Sequence, residues 1–342
     1  MNGKGFFALY HSYFVKNGGT RAVLFFAKKG LLWPMWKEVL KNPFRRQSYK
    51  NAYIVALNKV EPLLRSQFAP IMHSQREVYA KLSLKHERSK KVWFCWLQGI
   101  ESAPLVVKAC YSSLQKHLID RDILLIDNNN WKDYVTLPDY IIQKWERKLI
   151  PSPLFSDLIR LQLLIKYGGS WIDSTVLCTG FTPQNEKISK SFLDADLFMF
   201  QYTRPGSSQW GGIGNWFITS CTNNEVLLVL RDMLFAYWRE YDCVSDYYIF
   251  HLFFSMLREV YPEEINSMPY GYAGNSIALG YHLGDKFEAA KWERVTSKVC
   301  FHKLAHTVRR SVDQDNDNYY HHIVDGDSAQ NCYSNESFLI VP

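Results

Sequence analysis

The chain has 342 residues, of which 47% are hydrophobic and 21% charged; this excludes global disorder and leaves room for one large domain, or one domain with an appended lobe. Seven scattered cysteines form no CxxC pair, which argues against a disulfide framework or a zinc ribbon and points to a reducing compartment. The formal charge of +7 arises wholly in residues 1–50, which hold ten Lys/Arg and one acid, Glu38; the slightly acidic remainder lacks the basic face of a nucleic-acid-binding body.

The opening MNGKGFFALYHSYF has no uninterrupted apolar h-region and no small-residue cleavage site, so a cytoplasmic protein is expected. Residues 22–27 are apolar but bracketed by Arg21, Lys28 and Lys29, and no stretch reaches the roughly 18–20 apolar residues of a spanning helix. Residues 28–50 mix seven basic residues with Leu31, Leu32, Trp33, Met35, Trp36, Val39, Leu40 and Phe44. That mixture suits a peripheral site on an anionic membrane face; it equally suits a helix packing its apolar side on the domain. Pro34 interrupts a long helix here. Residues 51–90 read as one or two helices, with Pro70 as the point of division, followed by a polar linker, Lys85–Lys91.

From residue 92 strands and helices alternate. Residues 92–97 (VWFCWL) and 122–127 (DILLID) read as buried strands, with a helix from Ser102–Pro104 to about His117 between them. Helices follow over 138–148 and from Ser152–Pro153 to Gly168, then a strand over 170–178. Strands near 196–202 and 215–220 precede helices near 223–241 and 246–260, and the tail from Asp313 reads as a polar loop. The alternation predicts a mixed, mainly parallel α/β sheet between helices, preceded by a basic helical segment. The expected divisions are 1–90, 91–310 and 311–342.

The chemistry concentrates between Ser156 and Thr175. Asp157 and Arg160 share one face of an otherwise apolar helix, as a structural ion pair or as a pair reaching a polar ligand. Gly168 and Gly169 make a tight turn into a strand that carries Asp173 among Trp171, Ile172, Val176 and Leu177. A carboxylate there needs a metal, a cation or several hydrogen bonds. WGGIGNW (residues 210–216) lacks GxGxxG; it reads as a hairpin turn or as the flexible wall of a binding site presenting Asn215 and Trp216. Asp246 and His251 read as a helix cap and a core histidine. No GxxxxGK[ST] loop and no GxSxG elbow is present.

The string SDLIRLQLLIKYGGSWIDSTV resembles the donor-site signature of GT-A-fold glycosyltransferases of family 32 and of the related capsular polysaccharide synthesis proteins. WFCWLQGIESAP resembles their first strand and loop, and DYYIFHLFF and FHKLAH resemble the capsular group; the likeness spans roughly residues 90–306. It implies a GT-A-like fold and a hexosyltransferase that retains anomeric configuration. The donor would be a nucleotide sugar, a UDP-hexose or UDP-N-acetylhexosamine. The acceptor would be a surface polysaccharide or its lipid-linked precursor. By the same likeness Asp157, Arg160 and Asp173 are the catalytic residues and, with Thr175, hold the donor, Trp96 and Gln98 lie near the base or ribose, Lys303 faces the diphosphate, and Asn215, Trp216, Asp246 and His251 border the acceptor. Asp173 and His302 would ligate Mn²⁺ or Mg²⁺. The chain departs from the pattern at Thr175, where a second acid is usual; a hydroxyl is a weaker, neutral ligand, which puts the strength of metal dependence in question. No spare acid nominates itself as a nucleophile, which favours front-face substitution over double displacement. The alternative from another class is a non-catalytic nucleotide-sugar-binding or assembly subunit.

Overall fold

Ala52, Ala56, Val60, Leu64, Phe68 and Met72 recur every fourth residue, and each is at most 1% exposed in the computed structural model. They form the seam of one helix, Arg46–Tyr79, that runs through Pro62 and Pro70. Both prolines lie on the exposed side. Each removes a helical hydrogen bond, a cost of about 3 kcal/mol, and burial of the opposite seam offsets it. Of the one or two helices expected over this stretch, the structure has one, with no break at Pro70. Pro34 is likewise accommodated, in the first turn of the helix Leu32–Lys41.

The structure describes residue 14 and residues 17–42, 45–202, 212–305 and 317–334. Trp210, Gly211 and His306, which belong to strings noted above, lie outside them. The chain divides into two units: Met1–Leu84, Thr136–Gln162 and Glu225–Glu263 form one, and Lys85–Val135, Leu163–Asn224 and Glu264–Pro342 the other. The division expected at residue 90 is thus incomplete, because two later segments join the N-terminal helices. Among the described residues no helix is long and apolar enough to cross a membrane.

The described part of the first unit is helical. Glu225–Glu240 and Ile249–Leu257 pack on Arg46–Tyr79. Polar ties reinforce the packing: the Arg65 guanidinium donates to Ser255 Oγ at 2.6 Å, Tyr79 OH donates to Asp232 at 2.5 Å, and Arg231 donates to Tyr79 OH at 2.9 Å.

Among the described residues, the second unit holds every strand. β1 (Lys91–Cys95), β2 (Asp122–Ile126), β3 (Gly169–Ile172), β4 (Val176–Cys178), β5 (Leu197–Gln201), β6 (Ile213–Ser220) and β7 (Phe301–Lys303) follow in chain order. Five form a sheet in the order β2-β1-β3-β6-β5; β1 pairs in parallel with β2 and β3, and β6 runs antiparallel to β3 and β5. The mixed, mainly parallel sheet is as expected. The strand expected over 170–178 is instead two strands, because the chain turns at Asp173–Thr175 and β4 pairs with β7 in a separate ribbon. The tail also differs. Tyr319–Ser334 is a helix on Leu105–His117, with Tyr319, Tyr320, Ile323 and Val324 buried. Polar residues dominate this stretch, so four core residues at helical spacing carry too little weight to reveal it.

Candidate functional site

Two glycines aim Asp173. Gly168 takes a positive φ of 64°, which L side chains rarely adopt. Gly169 lies so close to β1 that a Cβ there would meet the Lys91 carbonyl oxygen at 2.2 Å. The chain therefore turns sharply out of the helix Ser152–Tyr167 and enters β3 beside β1. β3 ends at Ile172, where the Asp173 N–H donates to the Trp216 carbonyl at 2.8 Å and the Val176 N–H donates to the Asp173 carbonyl at 2.9 Å. The turn lifts the Asp173 side chain out of the core that surrounds Trp171 and Ile172.

β7 supplies a counter-charge. Lys303 Nζ donates to Asp173 Oδ2 at 2.5 Å and also to Thr175 Oγ1. The register Val176↔Lys303 and the Leu304 N–H to Thr175 carbonyl bond (2.7 Å) hold β7 in place. The pair remains reachable: Asp173 is 28% and Lys303 24% exposed in their side chains. Thr175, conspicuous in sequence as the missing second acid, is a buried hydroxyl that accepts from the lysine.

The same sheet edge carries the ends of the neighbouring parallel strands, the usual ligand edge of such sheets. Trp96, half-buried, and Gln98, exposed, follow β1. The Gln98 carbonyl accepts from Ser102 Oγ at 2.9 Å, and Gly99 takes a φ of 83°. Asp127 follows β2; its Oδ1 accepts from the N–H groups of Asn129 (2.7 Å) and Asn130 (3.2 Å). Sequence reading took Asp127 only as the last residue of a buried strand, although an acid at the end of a buried parallel strand is a signal of this edge. A cavity of about 200 Å³ elsewhere in the unit is lined by Lys116, His117, Trp292 and His322 and by neither Asp173 nor Lys303.

Several expected site residues stand elsewhere. His302 is wholly buried, and strand alternation sends it to the side opposite Lys303. Burial pushes its pKa down to about 4, offset only slightly by the Val299 backbone, so the ring is uncharged at neutral pH. It is not in position to ligate a metal held by Asp173. Among the described residues no three His, Cys, Asp or Glu side chains converge as a metal-binding group. Trp216 is not an acceptor platform: it is buried and stacks on Phe200 at 4.6 Å, and its Nε1–H donates to Tyr202 OH at 3.3 Å. Asn215, beside it on β6, is half-buried.

Asp157 and Arg160 belong to the first unit. They are 7% and 5% exposed and paired at 3.2 Å along one helix. Arg160 also turns back to donate to Ser156 Oγ at 3.2 Å. Asp246 and His251 lie in that unit too, apart from Asn215 and Trp216 in the chain's division. Asp246 Oδ1 accepts from the Tyr248 N–H at 2.8 Å, and burial raises its pKa. The helix it was expected to cap begins only at Ile249. His251 packs edge-on against Tyr248 and Phe250.

No curated protein sequence matches the chain. A solved structure described as PaToxG glycosyltransferase matches it with 14% identity and a TM-score of 0.34, over 69% of this chain and 94% of that one. The profile of the family described as capsular polysaccharide synthesis protein matches residues 40–323. That span contains the helical seam, the whole sheet and the Asp173–Lys303 pair, and the chain belongs to this family.

Proposed function

We propose that the protein is a glycosyltransferase that moves a hexosyl or N-acetylhexosaminyl group from a nucleotide diphosphate sugar, with UDP as the carrier, to a capsular or other surface polysaccharide or its lipid-linked precursor. The observation that carries this reading is the quarter-exposed Asp173–Lys303 pair at the carboxyl edge of the parallel strands, in a chain of the capsular family. A diphosphate leaving group gains negative charge as its bond to the sugar breaks. A fixed ammonium within reach stabilises that charge. Lys303 takes this role; Asp173 and Thr175 hold its Nζ in place, and Asp173 accepts from a sugar hydroxyl when the lysine turns to phosphate. Trp96 and Gln98 border the base or ribose.

Configuration at the anomeric carbon is retained by front-face substitution. The bond from the anomeric carbon to the diphosphate oxygen breaks, the acceptor oxygen bonds to that carbon from the same side, and the acceptor proton passes to the departing phosphate. A divalent ion does not fit this edge: one carboxylate already holds an ammonium, its neighbour is a hydroxyl, and His302 is in the core. Asp157 and Arg160 are assigned to donor binding by family resemblance alone.

The test is a panel of UDP-, GDP- and dTDP-sugars with purified protein, following nucleotide release in Mn²⁺, in Mg²⁺ and in EDTA, with Asp173→Asn as control. Release from one donor that the variant loses supports the reading and names the sugar. Binding without release, persisting across an acceptor panel, turns the assignment to a non-catalytic sugar-nucleotide-binding subunit. No binding to any donor overturns it.

A further inference from the structure

The outward sides of the first two described helices are not plain polar faces. On Thr20–Lys28 the buried residues are Ala22, Phe25 and Phe26, and the opposite stripe is Arg21, Leu24 and Lys28. On Leu32–Lys41 the buried residues are Met35 and Val39, and the outward stripe is Trp33, Lys37, Leu40 and Lys41. These spacings of three, four and seven place each stripe on one side of its helix. Leu24 is 58%, Trp33 62% and Leu40 54% exposed. Lys37 Nζ lies 5.4 Å from the Trp33 ring centroid. The inner stripes already fill the core, so three large apolar side chains are left facing solvent among cations. Residues 17–42 hold five basic residues and one acid, Glu38, which pairs with Lys41 at 2.5 Å.

We propose that these two faces seat the protein on an anionic bilayer surface. Trp33, Leu24 and Leu40 enter the boundary between headgroups and acyl chains, and Arg21, Lys28, Lys29, Lys37 and Lys41 meet lipid phosphates, their stems lying along the apolar layer. Charge complementarity selects this occupant. An apolar protein groove gains nothing from five cations, and an acidic protein surface gives no place to a Trp and two Leu. The inference is independent of the transferase reading, since it concerns lipid and not donor.

The test is co-sedimentation of the full chain with vesicles of phosphatidylcholine alone and of phosphatidylcholine mixed with phosphatidylglycerol. The wild type is expected to partition at least ~10-fold more strongly onto the anionic vesicles and to be released by high salt. Combined Lys28→Glu, Lys29→Glu, Lys37→Glu and Lys41→Glu is expected to lower the partition by ~100-fold or more. Trp33→Ser with Leu40→Ser is expected to lower it by about tenfold at low salt. The two variant sets are independent, so a folding failure in one leaves the other to decide. Wild-type protein that stays in the supernatant, binds both vesicles equally, or sediments no better than both variant sets overturns the proposal.

Discussion

Asp157–Arg160 and Asp173–Lys303 are both acid–base pairs, but they sit in different surroundings. The first links neighbours on one helix and is 5–7% exposed; the second links residues 130 positions apart and is 24–28% exposed. A buried pair broken on one side leaves a charge without water, so its partners are held together by the fold. A quarter-exposed pair between a turn and a strand loses little when its partners separate, so each can exchange the other for a ligand. Under the proposed reading the more exposed pair is the one that exchanges partners with the ligand, and the buried pair is the one whose loss the fold feels most.

The sharpest way to break this contrast is Lys303→Met. Nucleotide release is expected to fall about 100- to 1,000-fold, as for loss of a preorganised cation at a developing oxyanion. Denaturation should show a stability change of under about 1 kcal/mol. A stable protein with undiminished release would remove Lys303 from the reaction. Asp157→Asn is the counter-experiment. It should cost about 3 kcal/mol in chemical denaturation, because the Arg160 charge stays buried without its carboxylate. A loss of donor affinity with unchanged stability would support the donor role that family resemblance gives this pair and would break the contrast.

The third prediction concerns pH. His302 is neutral when folded and has a pKa of about 4, against the ordinary 6.5 when unfolded. The unfolded chain alone takes up this proton between those values, so the contribution of His302 is complete above pH 6.5 and lost as pH falls toward 4. The loss is about 3 kcal/mol. The stability difference between wild type and His302→Asn should shrink by that amount over this window; a constant difference would show that the ring is hydrated. The smallest expected effect is that of chelation. EDTA should leave nucleotide release unchanged, since the ammonium of Lys303 stands on the carboxylate a metal would use. A loss restored by Mn²⁺ would show that lysine gives way to metal when donor binds.

Much of the second unit was legible beforehand because its signals are local. Short apolar runs at residues 92–97 and 122–127 are strands, and the paired glycines at 168–169 are where the backbone must turn and pass close to β1. Asp173 stood out as an acid in an apolar strand. The run through Pro70, the split strand after Ile172 and the helix over residues 319–334 were not legible. In each, the deciding contact lies far along the chain: Glu225–Glu240 against the long helix, β7 against β4, and Leu105–His117 against the tail helix.

The sequence by itself determined the alternating α/β order, the basic N-terminal segment and the residues that carry charge into apolar surroundings. Composition and spacing act within a few residues, and these features need no more than that. Only the tertiary structure decided which charges became partners. It put Lys303 on Asp173, sent His302 into the core one residue away, and buried Trp216 against Phe200. Strand register and side-chain face are set by pairing across more than a hundred residues, and a shift of one residue would exchange the roles of His302 and Lys303.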